Sequence, residues 1–492
     1  MKSDIPKEVR AVAGLLEQHG FSAYLVGGCL RDILMGRDPK DWDVATDAEP
    51  GQVQSIFPES VYENQFGTVG IKTDAEDPKL KIVEVTTFRL EGKYTDKRHP
   101  DEVVFARTIE DDLSRRDFTM NAIALRLGSG SIVGDGDELV DPYGGEKDIQ
   151  AKTIRTVGEP KERFNEDALR LMRAVRFAAE LGFEIEMNTR RAMEQEAGLL
   201  EVIAKERVRD EFTKMLMAPD ATRGILLLEE MDLLRYVAPE LRDGLGVTQN
   251  KHHIYTVFEH NVRALEYAAK QGYSLEIRLA SLLHDVGKPK TKHGDGPDST
   301  FYGHERVGAK LAVRALERLH FSRDVIERVA HLIRFHMFYY NVGEVSPAGV
   351  RRFIARVGPE TIDDLMKVRE ADRIGSGVPK AVPYKMRHLQ FMIEKVKSDP
   401  VSPKMLGVNG EDVMRIAGIE PGPKVGQIIA VLLEEVLDDP KRNDRDTLEV
   451  RVRELAELSD VELAAMRRKA EERKDEFERG IEEEMKKKHW VQ

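Results

Sequence analysis

The 492-residue chain holds one cysteine, Cys29, so no internal disulfide can form and cysteine-built zinc modules are excluded. Its apolar runs, such as Ile428 to Leu433, stop far short of the ~20 residues of a membrane span. Met1 to Leu16 alternates charged with apolar positions, which gives no expectation of a signal peptide. Basic charge is also in deficit: 76 Lys and Arg against 88 Asp and Glu leave a net charge of −12. That balance stands against a nucleic-acid partner unless a local basic surface hides within the sum. Hydrophobic content of 41% is too high for wholesale disorder, and ~150 residues per domain suggest about three domains. A soluble, cytoplasmic chain without a membrane partner is expected.

What is present divides into two textures. Residues 1–150 carry short β-branched runs (Ala23 to Val26, Asp43 to Ala45, Thr68 to Lys72, Lys81 to Thr87, Ile123 to Leu127) between Gly, Pro and Asp clusters, predicting a mixed α/β head. From about Lys161 apolar residues recur at helical spacing, as in Leu169, Met172, Val175 and Ala179, predicting a long all-α body. Within it, residues 151–245 form a neck, 246–376 a histidine-rich module, and 377–492 a charged helical region that ends in the Lys/Arg/Glu alternation of Arg467 to Lys488.

The head's chemistry concentrates in Tyr24 to Val44, YLVGGCLRDILMGRDPKDWDV. Gly27-Gly28 lets the backbone approach a ligand, and the helix that follows turns its first amides toward an anion. Alternation along a strand places Asp41 and Asp43 on one face and Trp42 on the other. Two carboxylates so close repel unless a cation intervenes, and Mg²⁺ suits an all-oxygen site beside phosphate. Glu84, within the strand-like KIVEVTT, adds a third carboxylate among β-branched neighbours. Three such groups suit two-metal phosphoryl transfer, in which an attacking hydroxyl is activated and a triphosphate steadied.

GGCLRD at 27–32 with DWD at 41–43 resembles the head of polymerase-β-like nucleotidyltransferases. RRDFTMNA at 115–122, DPYGG at 141–145 with Asp148, and EDALR at 166–170 continuing to Arg173, Arg176 and Phe177 narrow the resemblance to the bacterial-type (class II) tRNA CCA-adding enzymes and their poly(A) polymerase relatives. The resemblance implies that Asp41, Asp43 and Glu84 are catalytic, with Mg²⁺ on Asp41 and Asp43. Gly27, Gly28, Arg31, Arg116, Asp117 and Asn121 would bind the incoming nucleotide. Asp167 and Arg170, three apart and so expected on one helix face, offer an acceptor and a fork of donors for a base edge. In the family such a pair serves as a protein template, and Arg173 and Arg176 extend the nucleotide-binding set toward a basic RNA surface. Arg89 to Phe105 reads as a mobile loop and matches the one that accompanies the family's switch from C to A addition.

In the body, SLLHDVGK (281–288) holds the adjacent pair His284-Asp285, with His260 a helix earlier and Asp372 later, in READRIG. That order resembles the HD-superfamily phosphohydrolases and implies a divalent metal on His260, His284, Asp285 and Asp372. His304 and His331 or His336 match additional histidines of the superfamily, which the resemblance implies support a second ion or grip phosphate. Mixed nitrogen and oxygen donors suit Ni²⁺, Mn²⁺, Co²⁺ or Zn²⁺ better than Mg²⁺. His252 and His253 fit no ligand position and read as surface.

The expected function is template-independent addition or repair of the tRNA 3′ CCA from CTP and ATP, with an accessory phosphohydrolase activity. The alternatives are a poly(A) polymerase, a CC-adding or an A-adding enzyme, and, from another class, an HD phosphohydrolase whose head is an RNA-binding platform.

Overall fold

The computed structural model describes residues 5–64, 67–91, 103–127, 137–250 and 254–474. The chain forms two compact units, Met1–Arg242 with Arg318–Phe321, and Asp243–Glu317 with Ser322–Gln492.

The first unit begins with helix Lys7–Gln18, whose Val9, Val12, Ala13 and Leu16 are buried along one stripe. The strands are β1 (Ala23–Val26), β2 (Asp43–Thr46), β3 (Ser60–Asn64), β4 (Thr68–Lys72), β5 (Ile82–Thr87), β6 (Arg89–Glu91), β7 (Val103–Phe105), β8 (Ala124–Arg126), β9 (Glu138–Val140), β10 (Thr153–Ile154) and β11 (Glu184–Ile185), the last two a short parallel pair. Seven of them form one sheet in the order β3-β4-β5-β2-β1-β8-β9. Its pairs are antiparallel except β2 with β5, which makes the sheet mixed, as expected for the head. β3 and β9 have weak apolar alternation, which is why the sequence did not announce them. β6 and β7 pair with each other, so both ends of the expected loop Arg89 to Phe105 are strand; its centre, 92–102, lies outside the described residues. β1 runs into helix Gly27–Leu34, which carries Arg31.

From Pro160 the neck is mainly helical, interrupted by the short strand Glu184–Ile185. Helix Pro160–Glu166 stops at Asp167, whose φ of −138° and ψ of 104° are extended, and helix Leu169–Leu181 begins two residues later. The single helix expected through EDALR is therefore two, and Asp167 and Arg170 do not share a helix face. Leu169–Leu181 buries Leu169, Met172, Val175 and Ala179 as its spacing predicts, and ends at Gly182 in the left-handed region.

The second unit is helical throughout its described residues apart from one isolated bridge. Helix Val257–Lys270 starts with a reciprocal capping box between Thr256 and Glu259. It packs against helix Ile362–Gly375, where Gly375 matters: a Cβ there would lie 2.7 Å from the His260 carbonyl oxygen. Helix Pro347–Val357 is tied to helix Pro423–Asp438 by the buried Arg352–Glu434 pair at 2.6 Å. No described helix is long and apolar enough to cross a membrane. His252, His253 and the chain beyond Lys474 lie outside the described residues.

Candidate functional site

In the head, the register of β2 and β5 sets Asp43 directly beside Glu84 on adjacent parallel strands, so both side chains project from the same face. Asp41 precedes the strand rather than belonging to it, yet the in-out pattern holds: Asp41 is exposed, Trp42 buried, Asp43 half-buried. Burial pushes the Asp43 carboxyl above its ordinary range, Arg116 opposes the rise, and the Asp41 charge adds to it. A carboxylate raised by burial and by a like charge is a group that a cation would stabilise, so the residues fit a metal.

Gly27 faces this carboxylate. Its φ is +74°, and a Cβ there would sit 3.1 Å from Arg116 Nη1 and 3.4 Å from Asp43 Oδ2. Glycine thus keeps the mouth of the turn open between a guanidinium and a carboxylate. Gly28 carries no comparable demand; its Cβ would be 3.8 Å from Arg31 Nη2.

Behind the turn runs a chain of polar contacts. Arg31, 7% exposed, donates to Asp32 and, at 3.0 Å, to Asn121 Oδ1. Asn121 Nδ2 donates to Asp117 Oδ1 at 3.1 Å, and Asp117 Oδ2 accepts from Arg173 Nε at 2.7 Å. Burial opposes charge on Asp117, but Arg173 and the Asn121 amide overcome it and lower its pKa to about 2. Four residues from three segments are therefore one network. Arg116 is held by Asp112, which Arg115 also grips; burial notwithstanding, these two guanidiniums keep Asp112 below its usual range.

The 141–148 motif works from below. Asp141 accepts the amides of Gly145 at 2.7 Å and Glu146 at 3.0 Å, capping the short helix Gly145–Gln150. Asp148 accepts from Thr119 Oγ1 at 2.7 Å. At Gly145 a Cβ would lie 2.1 Å from the Thr119 carbonyl oxygen, so only glycine lets this helix press on the turn that presents Asn121.

The neck residues are arranged differently from the sequence expectation. Both Asp167 oxygens face Arg207, at 3.2 and 2.7 Å, and Oδ1 also accepts the Leu169 amide. Arg170 is instead held by Glu166 and donates to the carbonyls of Arg163 at 3.1 Å and Arg115 at 3.0 Å. Arg176 pairs with Glu211 and Glu180, both at 2.6 Å, and lies 4.0 Å from the Phe177 ring centre, a ring that Arg31 and Arg173 also approach. Arg173 and Arg176 are thus committed to internal carboxylates rather than forming an open basic surface. Sequence reasoning missed Arg207 and Asp112: forty residues separate Arg207 from its partner, and Asp112 reads locally as an ordinary first-turn acid in helix Ile109–Ser114.

In the second unit the four HD residues converge. His260, His284, Asp285 and Asp372 each offer an atom within 4.8 Å of the others. His260 Nε2 is 3.1 Å from Asp285 Oδ2 and 3.3 Å from Asp372 Oδ1. The other Asp285 oxygen faces a second group, His304 Nε2 at 3.3 Å and His336 Nε2 at 3.7 Å. His331 is not part of it; its Nε2 lies 2.6 Å from the Val357 carbonyl and its ring packs on Phe335. Both Asp285 oxygens and His304 Nε2 are buried without a well-formed hydrogen bond. Burial would lower the His284 pKa, but Asp285 and Asp372 push it up to about 10. Lys288 Nζ, 2.5 Å from Asp285 Oδ2, and Arg369 beside Asp372 supply positive charge here, and the donor set of two imidazoles and two carboxylates fits a divalent metal. Close backbone approach builds it: a Cβ at Gly287 would lie 2.2 Å from the His304 carbonyl oxygen.

A mixed-sheet head with Asp43 and Glu84 side by side at a glycine turn, followed by a helical HD centre, defines a nucleotidyltransferase coupled to an HD module. Family models agree: the Poly A polymerase head domain matches residues 23–155, the probable RNA and SrmB-binding site of polymerase A residues 182–245, and the HD domain residues 257–376. The chain is 45% identical to a CCA-adding enzyme of Geobacillus sp. over 434 residues, covering 88% of this chain and 93% of that relative. It is 36% identical to the A-adding tRNA nucleotidyltransferase of Deinococcus radiodurans over 426 residues, 84% and 91% of the two. Among solved structures, the CCA-adding enzyme of Bacillus stearothermophilus in complex with CTP matches with a TM-score of 0.67 at 30% identity, over 92% of this chain and 98% of that one. The chain belongs to the tRNA nucleotidyltransferase and poly(A) polymerase family.

Proposed function

We propose that this protein adds the 3′-terminal CCA to tRNA, using CTP and ATP without a nucleic-acid template. The observation that carries the reading is the pairing of Asp43 with Glu84 beside the Gly27 turn, with Asp41 and Arg116 at the same spot. Asp41 and Asp43 would hold Mg²⁺, with Glu84 assisting. When bound, the ion supplies positive charge that favours ionisation of the primer's 3′-hydroxyl and offsets charge on the triphosphate. Arg116 holds positive charge at the glycine turn. The Arg31–Asn121–Asp117–Arg173 network keeps the polar wall behind the nucleotide rigid.

Base selection falls to the Asp167 and Arg170 region, with one difference from a simple two-residue template: Asp167 enters it already paired to Arg207. In the body, His260, His284, Asp285 and Asp372 would hold a Ni²⁺, Mn²⁺, Co²⁺ or Zn²⁺ ion, and His304 and His336 a second. A bound ion there would activate water for hydrolysis of a small phosphate ester. The cytoplasm is the compartment in which tRNA maturation places such an enzyme.

Incubation with tRNA lacking its 3′ end and each nucleotide in turn tests the reading. Two C residues with CTP, followed by one A with ATP, is the expected result; a long A tail with ATP alone would overturn it. The Deinococcus relative favours one further reading, addition of the final A alone, which would show as no incorporation of C. Asp41→Ala should abolish incorporation, and unchanged activity would refute the metal assignment.

A further inference from the structure

Helix Tyr384–Lys395, beyond the HD ligands, has two apolar sides where one is enough to anchor it. Met386, Leu389, Met392 and Ile393 are buried against the body. On the opposite face Tyr384 is 63% and Phe391 60% exposed, with His388 between them. Their spacing of four and three residues aligns the rings along one stripe. Ring centres are 6.1 Å apart from Tyr384 to His388, and 6.1 Å again from His388 to Phe391. Tyr340 flanks the stripe, 6.0 Å from His388, and its hydroxyl hydrogen-bonds the His388 ring.

The charges around the stripe are mainly basic. Lys385, Arg387 and Lys395 are exposed on the same helix, with Glu394 the lone acid among these positions. Lys385 donates to the Asn341 side-chain carbonyl, whose amide in turn donates to Glu344 at 3.1 Å, and Arg387 donates to the Val382 backbone carbonyl; among the described residues neither cation has a carboxylate within ion-pair distance. Glu394 is drawn toward Lys397 at 3.4 Å. Two exposed rings flanking a half-buried imidazole, interleaved with cations that make no direct ion pair among the described residues, combine the two elements of a single-strand nucleic-acid platform: faces for bases and charges for the phosphates between them.

We propose that Tyr384, His388 and Phe391 form a stacking platform for unpaired bases of the RNA substrate, with Lys385 and Arg387 gripping its backbone. The inference rests on tRNA being the substrate and adds a contact made by residues of the second unit. A protein partner, including a second copy of this chain, would use the rings but has less need of the cations.

The test uses the full chain and tRNA lacking its 3′ end. Tyr384→Ala with Phe391→Ala should raise the Kd by about fivefold or more for each ring, with an unchanged melting temperature because both rings are exposed. Tyr384→Phe with Phe391→Tyr should restore binding, which separates stacking from shape. Lys385→Gln with Arg387→Gln should reduce the slope of log affinity against log salt by about 2. Tyr384→Trp supplies a direct reporter, whose emission should be quenched by bound tRNA. A Kd within twofold of wild type in the double alanine variant, or an indole that RNA does not quench, would overturn the platform. So would loss of self-association with tRNA affinity intact. If the wild-type protein neither binds nor extends tRNA, the functional reading itself fails; if it does both and only these variants are silent, the platform alone fails.

Discussion

Asp117→Ala should destabilise the first unit and loosen nucleotide binding together. Asp117 is 8% exposed, and its carboxylate accepts from the Phe118 amide, Asn121 Nδ2 and Arg173. Its pKa falls from an ordinary 3.8 to about 2, against burial, through Arg173 and Asn121. At about 1.4 kcal/mol for each tenfold change in acidity, that drop corresponds to about 2–3 kcal/mol of stability at neutral pH. Truncation adds the cost of an Arg173 guanidinium left without its partner; buried pairs broken this way lose about 3–5 kcal/mol. Because the Arg173 side chain retains 33% exposure, the lower end applies, about 3 kcal/mol. For a unit of this size that corresponds to a melting temperature lower by about 6–12 °C. The pH dependence has a definite sign: a depressed folded-state pKa gives stability that is complete above about pH 4 and lost as pH falls toward about 2. Thermal denaturation followed by far-UV circular dichroism reads the first quantity, and the KM for CTP the second, since Arg31 and Asn121 lose their anchor. A double-mutant cycle with Arg173→Ala should return a coupling of at least about 1 kcal/mol. A single variant melting within about 2 °C of wild type, a loss of under about 1 kcal/mol, would refute the network.

Gly145→Ala should destabilise by more than about 3 kcal/mol, because its Cβ meets the Thr119 carbonyl at 2.1 Å; a wild-type melting profile would contradict this. Gly27→Ala combines a strained φ with a Cβ 3.1 Å from Arg116 Nη1, and should raise the KM for nucleotides at least about tenfold. Asp285→Asn should strip divalent metal from the body, measurable by elemental analysis, and abolish phosphoesterase activity while tRNA extension persists; retained metal would refute the bridging role given to Asp285. Arg207→Ala should change the ratio of CTP to ATP incorporation, because it frees Asp167 from its bidentate partner.

What was legible in the sequence followed the range of the interactions involved. Strands β1, β2, β4, β5 and β8 announce themselves through local β-branched runs, and the HD residues through a short motif plus helical spacing. Asp43 and Glu84 were nameable as carboxylates, but their juxtaposition depends on a parallel pairing between strands with two others between them in the chain. The expectation that Asp167 and Arg170 share one helix face failed for a local reason: the chain leaves the helix at Asp167, whose side chain then caps the Leu169 amide and takes Arg207 from forty residues away. His331 failed through orientation, since helical spacing from its neighbours cannot say which face of Arg323–Phe335 looks into the centre.

The acid surplus also changes meaning once the side chains are placed. Around the head site the guanidiniums that seemed available for phosphate are answered by carboxylates: Arg173 by Asp117, Arg176 by Glu211 and Glu180, Arg207 by Asp167, Arg115 and Arg116 by Asp112. Ion pairs of this kind fix geometry but contribute little field at a distance, since each cation is neutralised within a few ångströms. Long-range attraction for RNA then falls to cations that make no direct ion pair, among which Lys385 and Arg387 lie beside the exposed rings. The consequence is a division that net charge conceals. Neutralising Arg176 should alter nucleotide kinetics and stability while leaving the salt dependence of tRNA binding as it was; neutralising Lys385 and Arg387 should flatten that salt dependence. If Arg176→Ala alone flattened it, the internal pairing described for the neck would not be what the chain uses when RNA is bound.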